Sequence, residues 1–218
     1  MAWQCSGSSN DELVSNLVAA ELASDRVAGA MRAVDRAYFA PRQPYADAPQ
    51  LIGYEATISA PHMHALALSQ LEPSLGAGAR VLDVGCGSGY LLAVLARLVG
   101  PTGSVVGVEH IPELCTLATR NLARQGVAAG TDVDVICGDG RQPLPGRVFD
   151  AIHVGAAADE AAVAAVATML APGGRMFVPV RAADGEQYVY ELRRDAAGAL
   201  TRERKMGVRY VLLTDRSE

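Results

Sequence analysis

Residues 80–91, RVLDVGCGSGYL, contain the clearest structural signal of the chain. A short apolar run ends around Asp83, glycine then occupies positions 85, 87 and 89, and an apolar segment with helical spacing follows. Glycine at these positions lets a ligand approach the backbone where a side chain would block it. The stretch therefore predicts a strand, a turn that binds a nucleotide-like ligand, and a helix. A dinucleotide fingerprint G-x-G-x-x-G would need glycine at position 90, which is Tyr90, so NAD is disfavoured.

Short apolar runs alternate with helical segments through the rest of the central region. Candidate strands cover residues 80–85, 104–109, 132–137, 150–155 and 175–180, and candidate helices cover residues 89–98, 112–125 and 159–170. This rhythm is typical of a parallel sheet covered on both faces, so we predict an α/β fold. Residues 187–194 and 208–215 resemble strands without intervening helices. The sheet is therefore expected to end in an antiparallel portion.

The N-terminal region shows a different pattern. Apolar residues at helical spacing over 13–22 and over 27–34 predict two short helices. Residues 41–57 contain three prolines and no apolar period, which predicts a long ordered loop. Pro61 then opens another helix, since proline is tolerated in the first turn. We expect one domain, with N-terminal helices and a cleft-covering loop over 1–78, a core over 79–180 and C-terminal strands over 181–218.

Composition restricts the class of protein. A chain of 218 residues with 50% hydrophobic residues can bury one substantial core. Its net charge of −5 disfavours nucleic acid as a partner, and no apolar run is long enough for a membrane helix or a signal peptide. A cytoplasmic protein is therefore expected. The four cysteines form no C-x-x-C pair, so we expect reduced thiols, no zinc site and no disulfide, with Cys5 the candidate for an exposed thiol.

Two acidic residues reinforce the interpretation of the glycine turn. Glu109 ends the strand after the turn, where a carboxylate can accept hydrogen bonds from both hydroxyls of a ribose. Asp139 ends the following strand, where it can receive an exocyclic amine while Gly140 leaves room for a flat ring. Because the carboxyl ends of parallel strands meet at one edge of a sheet, these residues predict a nucleoside site there.

The stretch ATISAPHMHA, residues 56–65, is compatible with a metal site, a Ser/His nucleophile or the edge of a binding cleft. His62 and His64 are two residues apart at a helix start and point to different sides, which disfavours a metal pair. No acidic residue within the stretch orients either ring, although a distant one could. The hydroxyls of Thr57 and Ser59 and the free backbone amides can meet anionic groups at the positive end of the helix, so we predict a cleft edge. His153, between apolar neighbours on a strand, is interpreted as a hydrogen-bonded histidine and not a base.

Four motifs in this order, TISAPHMHA, DVGCGSG, GDGR and DAIHVGAAA, give the chain a resemblance to the protein-L-isoaspartate (D-aspartate) O-methyltransferases, and the resemblance extends over nearly the full length. It implies a class I S-adenosylmethionine-dependent fold, a doubly wound seven-stranded sheet with its last two strands in swapped order. It also implies an active-centre Ser59 and a cofactor site, in which Gly85 and Gly87 line the methionine moiety, Glu109 takes the ribose, Asp139 and Gly140 meet the adenine, and Thr214 closes over the cofactor. Thr57, Ile58, Ser59, His64 and Asp83 complete the predicted cofactor contacts.

The activity implied by the resemblance is methyl transfer from S-adenosylmethionine to the free α-carboxylate of isoaspartyl residues in damaged proteins and peptides, by a monomer. Arg181 and Leu212 depart from the family pattern near the expected substrate mouth, which affects peptide preference more than cofactor use. One alternative is a methyltransferase for another carboxylate acceptor. Adenine methylation is disfavoured because HVGAAAD stands where an Asn/Asp-Pro-Pro-aromatic run is usual. The other alternative is a non-catalytic isoaspartyl-recognising adaptor, although similar adaptors carry a long C-terminal extension.

Overall fold

The computed structural model describes residues 5–127 and 132–213. Six α-helices are found in these ranges: α1 Asn10–Ala19, α2 Asp25–Arg32, α3 Pro61–Leu71, α4 Tyr90–Val99, α5 Pro112–Gln125 and α6 Glu160–Ala167. Two short 3-10 helices cover Arg36–Tyr38 and Glu72–Ser74. The strands are β1 Gln50–Gly53, β2 Ala56–Ile58, β3 Arg80–Val84, β4 Ser104–Glu109, β5 Asp132–Cys137, β6 Phe149–Val154, β7 Leu170–Arg181, β8 Gln187–Arg194 and β9 Leu200–Val208.

Seven strands form one sheet in the order β5-β4-β3-β6-β7-β8-β9. The strands from β5 to β7 are parallel, whereas β8 is antiparallel to β7 and β9 is antiparallel to β8. The predicted parallel sheet with an antiparallel end is therefore confirmed. Strands β4 and β5 extend the sheet on one side of β3, and the chain then crosses to the other side of β3 to form β6. The strand order therefore reverses between β3 and β6. Ligands of open α/β sheets bind outside the carboxyl ends of the strands at such a switch point.

Local signals explain where several helices begin and end. The hydroxyl of Ser9 accepts a hydrogen bond from the backbone amide of Glu12 at the start of α1, and Ser24 caps α2 in the same way. Pro61 occupies the first turn of α3, as predicted. Gly126 ends α5 in the left-handed conformation, which glycine adopts without steric cost.

The sheet is buried on both faces. On β3, Val81 packs into the core beneath α1 to α5, whereas Leu82 and Val84 pack into a second core that includes α6. Successive strand residues point to opposite faces, so a strand covered on both sides must be apolar along its whole length. This explains why the central strands are continuous apolar runs.

The predicted loop over 41–57 is wrong in its second half. Residues 50–58 form the antiparallel hairpin β1–β2, whose turn includes Tyr54 and Glu55 at φ of 53° and 58°. These residues lack the Asn-Gly or Asp-Gly pair that normally announces such a turn, so no sequence signal was available. The hairpin covers the glycine turn: a Cβ added to Gly87 would lie 3.1 Å from Cδ1 of Ile52.

Other boundaries also differ from the predictions. The helix expected over 159–170 ends at Ala167, and the strand expected over 175–180 extends from Leu170 to Arg181. The strand predicted over 208–215 is wrong for residues 209–213, because β9 ends at Val208 and these residues make only an isolated bridge between Leu212 and Ala157. Residues 214 and 215 lie outside the described ranges.

The exposure of the cysteines differs from the prediction at one position. The chain carries four free thiols. Cys5 is buried, because its backbone amide is fixed by Asp47 and its side chain joins the core, whereas Cys137 at the carboxyl end of β5 is exposed. The expectation of an exposed Cys5 is therefore wrong.

Two glycine-to-alanine substitutions should change stability in opposite directions. A Cβ at Gly107 in β4 would lie 2.6 Å from Cδ1 of Leu92 and 2.9 Å from Sγ of Cys86, so Gly107→Ala should lower the free energy of unfolding by about 1–3 kcal/mol. Gly29 is exposed within α2 and a Cβ there meets nothing within 4 Å, so Gly29→Ala should raise it by about 0.5–1 kcal/mol. Urea denaturation of both variants checks the signs. An unchanged free energy of unfolding in Gly107→Ala would show that α4 can move away from the added methyl group without cost.

Candidate active site at the carboxyl edge of the sheet

The glycine turn is fixed to the neighbouring strands by backbone hydrogen bonds. The amides of Gly85 and Cys86 donate to the carbonyl of Val108 on β4, at 2.8 and 3.2 Å. Gly85 and Gly87 have φ of 77° and 53°, in the left-handed region that favours glycine. The turn therefore exposes backbone in a rigid shape, as a site for a closely approaching ligand requires.

Glu109 lies beside this turn with its carboxylate already oriented. Its Oε2 accepts a hydrogen bond from the amide of Gly87 at 3.0 Å, and its Oε1 accepts one from the amide of Ile111 at 3.1 Å. Nδ1 of His110 lies 3.1 Å from Oε1. A carboxylate offers about four lone-pair positions. Glu109 is thus fixed by the backbone and keeps capacity to accept further hydrogen bonds, as its predicted ribose role requires.

A cavity beneath the hairpin brings together most of the predicted cofactor residues. Its lining includes seven of them: Thr57, Ile58, Ser59, His64, Asp83, Gly85 and Gly87. The same cavity is lined by residues that sequence reasoning did not assign to a site: Cys86, Ser88, Tyr90, Leu91, His153 and Gly155. The segment before α3 and the glycine turn, which lie far apart in sequence, therefore face each other.

Asp83 and His153 form a buried pair in this cavity. They are register partners on β3 and β6, and Nδ1 of His153 lies 2.7 Å from Oδ1 of Asp83. The ring of His153 stacks on Phe177, with centroids 5.5 Å apart. The interpretation of His153 as a hydrogen-bonded histidine agrees with this contact. Its position in the cavity was missed, because only the strand register brings it beside Asp83.

His64 is held by an arginine that the sequence did not single out. Nη1 of Arg36 lies 3.1 Å from Nδ1 of His64, and both side chains are buried. A guanidinium can only donate, so Nδ1 must accept and the proton of the neutral ring is on Nε2. Burial, and then the charge of Arg36, hold the pKa of His64 well below its usual value. His64 is therefore a neutral donor in the cavity.

Ser59 does not cap α3. The helix begins after Ala60 without a side-chain cap, and the amide of His62 is satisfied at 3.0 Å by the carboxylate of Asp47. Burial raises the pKa of Tyr210, and a side-chain hydrogen bond with Ser59 opposes the rise. Tyr210 thus joins Ser59 from the segment after β9, a contact that sequence reasoning missed.

The distant acid that could orient a histidine does exist. Oδ1 of Asp47 lies 2.8 Å from Nδ1 of His62. Burial works to raise the pKa of Asp47, but hydrogen bonds from the side chain and backbone of His62 outweigh it, so the pKa lies below its usual value. Within residues 5–127 and 132–213, however, no hydrogen bond joins Ser59 to His62. A Ser/His relay is not assembled.

A surface groove adjoins the cavity on the side of the antiparallel strands. It is lined by three stretches: Asp47, Pro49, Thr57, Ser59, Ala60, His62 and Met63 from the N-terminal part, Gly185 to Gln187 from the turn before β8, and Met206 to Val211 from the end of the chain. Thr57 and Ser59 line both the groove and the cavity. Arg181 and Leu212, expected near the substrate mouth, do not line the groove.

Of the predicted cofactor residues that the structure describes, Glu109 lies beside the glycine turn, and Asp139 and Gly140 do not line the cavity. The carboxylate of Asp139 is bound by its neighbour Arg141, whose amide and Nε each donate to Oδ1 at 2.9 Å. A Cβ on Gly140 would lie 2.4 Å from Cγ1 of Val84, so the glycine is required by packing whatever else it contacts. Thr214 lies outside the described residues. The prediction that Asp139 and Gly140 contact the adenine is therefore supported by the sequence alone.

Within the part of the chain that the structure describes, no helix is long and apolar enough to cross a membrane. In those same ranges, no three His, Cys, Asp or Glu side chains are grouped to hold a metal ion.

Comparison with known proteins identifies the family. The family model described as protein-L-isoaspartate(D-aspartate) O-methyltransferase matches residues 8–218. The chain belongs to this family. It is 47% identical over 223 residues to the protein-L-isoaspartate O-methyltransferase of Caenorhabditis elegans, covering 100% of this chain and 98% of that one. It is 45% identical over 199 residues to protein-L-isoaspartate O-methyltransferase 1 of Arabidopsis thaliana, covering 88% and 85% of the two chains.

Comparison with a solved structure supports the same family. A Plasmodium falciparum chain described as a protein-L-isoaspartate O-methyltransferase, crystallised with S-adenosyl-L-homocysteine, superposes with a TM-score of 0.84 at 31% identity, covering 95% of this chain and 99% of that one. This member of the family is therefore an S-adenosylmethionine-dependent methyltransferase with the class I Rossmann-like fold. The residues present fit that cofactor, because positive-φ glycines leave backbone open beside a fixed carboxylate, Glu109.

Acidification should destabilise the protein through His64. The unfolded histidine titrates near pH 6.5, above the folded pKa, so the unfolded state binds the proton first and the free energy of unfolding falls as the pH drops below about 6.5. One such group contributes at most about 1.4 kcal/mol per pH unit. The lowered pKa of Asp47 acts only below its unfolded value of about 3.9. Urea unfolding between about pH 5 and 7.5 checks this prediction. The free energy of unfolding should change less steeply with pH for His64→Gln than for wild type. Equal slopes would contradict the assignment.

Proposed function

We propose that this chain transfers a methyl group from S-adenosylmethionine to the free α-carboxylate of L-isoaspartyl and D-aspartyl residues in damaged proteins, with Ser59 at the point of transfer. The observation that carries the proposal is that Thr57 and Ser59 line both the cavity and the groove. A transferase must bring donor and acceptor into contact, and residues that line both sites lie where the two sites meet. Family membership supports the reaction, and the two-sided position of these residues supports the site.

The cavity side is proposed to hold the cofactor. Gly85 and Gly87 would line its methionine part, Glu109 would accept from the ribose hydroxyls, and Asp139 with Gly140 would meet the adenine. When bound, S-adenosylmethionine supplies an electrophilic methyl group on a sulfonium. Thr57, Ile58, Ser59, His64 and Asp83 would complete the site, as would Thr214. The neutral Nε2–H of His64 is suited to donate to an anionic group there.

The groove side is proposed to hold the acceptor peptide. Met206 to Val211 and Gly185 to Gln187 form much of its wall, and Met206 to Val208 belong to β9, the edge strand of the sheet. Exposed backbone can pair with the backbone of an extended peptide without selecting particular side chains. This suits an enzyme that must accept one altered linkage in many sequence contexts.

Positioning is the main task of the protein in this reaction. A carboxyl group with a pKa of about 4 is ionised at neutral pH, so the acceptor needs no general base. Ser59 would donate its hydroxyl hydrogen to one carboxylate oxygen, leaving the other free to attack. Holding the reacting atoms in line and excluding water can lower the barrier by several kcal/mol. The hairpin β1–β2 over the glycine turn contributes to that exclusion.

The remaining expectations are proposals of the same kind. We propose a monomer in the cytoplasm that acts on proteins and not on nucleic acid or membranes. Four free cysteines, one of them exposed, support a reducing compartment. A net charge of −5 opposes binding to a polyanion.

Ser59→Ala should lower kcat/KM for an isoaspartyl peptide by about ten- to a thousandfold, because a positioning hydrogen bond is lost. Affinity for S-adenosylhomocysteine should change much less. The matched control is Ser69→Ala in α3, which removes a 2.9 Å hydrogen bond to the carbonyl of Leu22 far from the groove and should reduce only stability. Steady-state kinetics with the aspartyl peptide as a blank tests this. Normal turnover in Ser59→Ala would refute the role, and a methyl-serine adduct would refute direct transfer.

Glu109→Ala should weaken S-adenosylhomocysteine binding by about 2–3 kcal/mol, since charge-assisted hydrogen bonds to the ribose and the support of the Gly87 amide are lost together. Glu109→Gln, which keeps the shape and one acceptor, should lose less. Glu160→Ala is a control at the exposed start of α6, where Glu160 pairs with Arg202. Calorimetric titration distinguishes the three variants. Wild-type affinity in folded Glu109→Ala would remove this residue from the site.

A further inference from the structure

Arg36 is a fully buried arginine directly behind the cavity. Its Nη2 donates to the carbonyl of Ser59 at 2.7 Å, and its Nη1 donates to Nδ1 of His64 at 3.1 Å. The guanidinium carbon lies 4.9 Å from the ring centroid of Tyr90, which also lines the cavity. One side chain from the 3-10 helix after α2 therefore contacts three residues of the cavity.

In the part of the chain that the structure describes, no carboxylate contacts Arg36, although the charge of Asp47 acts on it from a greater distance. Among the described residues, no carboxylate lies within 4.0 Å of the guanidinium, and its buried Nε has no hydrogen-bond partner. Buried charges are normally paired, because an ion that loses its hydration is destabilised. The contacts with Tyr90 and with two acceptors offset only part of this destabilisation. A buried positive charge is thus left available to the adjoining cavity.

We propose that Arg36 is a positioning residue of the methyl transfer, which fixes Ser59 and the Nε2–H tautomer of His64 and supplies the positive charge that draws carboxylates into the cavity. The inference rests on the function proposed above. Both the acceptor and the methionine part of the cofactor carry a carboxylate. A charge in a poorly solvated site acts more strongly on them than a surface arginine would.

Arg26 shows what a purely structural arginine looks like in the same fold. It donates to the carbonyls of Leu75 and Leu98, the latter at 2.9 Å, and lies 3.8 Å from the carboxylate of Glu72. It thus also bridges main-chain carbonyls, but it has an acidic partner and lines neither the cavity nor the groove. Arg26→Met is therefore the matched control for Arg36→Met.

The first test reads the His64 ring without any reaction. The chain has only four histidines, so long-range proton–nitrogen spectra of protein labelled with ¹⁵N-histidine can be assigned with a His64→Gln variant. Wild type and Arg26→Met should show a single His64 tautomer with the proton on Nε2. Arg36→Met should show a mixture of tautomers or a protonated ring. An unchanged Nε2–H signal in Arg36→Met would overturn the proposed orientation of His64.

The second test measures binding and turnover of the same variants. Arg36→Met should raise the Kd for S-adenosylhomocysteine and the KM for an isoaspartyl peptide about ten- to a hundredfold each, as expected for lost hydrogen bonds to a charged group. Arg26→Met should lower the Tm and leave both constants within about twofold of wild type. Arg36→Lys keeps the charge but cannot reproduce two donors on separate nitrogens, so it should lie between wild type and Arg36→Met.

Each outcome decides the proposal. If Arg36→Met does not fold, Arg36→Lys replaces it, and wild-type constants with a wild-type His64 signal in that variant would overturn the positioning role. Folded Arg36→Met with unchanged constants would do the same. Failure of the wild type to methylate the peptide would instead refute the proposed function, while the His64 spectra and S-adenosylhomocysteine titrations would still report on Arg36.

Discussion

The hydrogen bonds that hold the glycine turn to strands β4 and β6 are the constraint on which the site depends. Gly85 and Cys86 donate to Val108, Gly87 donates to the carboxylate of Glu109, and Gly155 donates to Val84 at 2.7 Å. Each bond crosses from one strand end to the next. Since the strand ends cannot move independently, the backbone that faces a ligand, the carboxylate beside it and the wall formed by β6 keep one geometry. Little reorganisation is then needed when a ligand binds.

The distribution of charge in the cavity follows from which groups are already satisfied. Asp83 is paired with His153, and Glu109 is held by two backbone amides, so neither carboxylate needs a cation. His64 is neutral, and Arg36 is the buried cation without a carboxylate partner among the described residues. The charge of Arg36 is therefore available to a carboxylate of a ligand bound in the cavity. The methionine part of the cofactor carries such a carboxylate.

The sequence predicted what depends on local pattern and failed where distant residues decide. The strands β3 to β6, the glycine turn and the start of α3 at Pro61 follow from apolar period and turn chemistry, and the structure agrees. The hairpin was missed because Tyr54 and Glu55 are not typical turn residues. The pair Asp83–His153 was missed because a single sequence does not show how strands β3 and β6 align. No sequence pattern singled out Arg36, which lies in a short 3-10 helix. Its proposed role rests on contacts with residues 59, 64 and 90.

The surroundings of Ser59 argue against a covalent role for its hydroxyl. A serine nucleophile needs a histidine nitrogen within hydrogen-bond reach to take its proton. Of the two nearby histidines, His62 is oriented by Asp47, but among the described residues no hydrogen bond joins it to Ser59. Nδ1 of His64 accepts from Arg36, so its other nitrogen carries the proton and cannot act as a base. The hydroxyl of Tyr210 lines the same groove as that of Ser59. Two hydroxyls side by side, with no base attached, can donate to a carboxylate but cannot be activated to attack, so direct transfer to the acceptor is the chemistry that this arrangement favours.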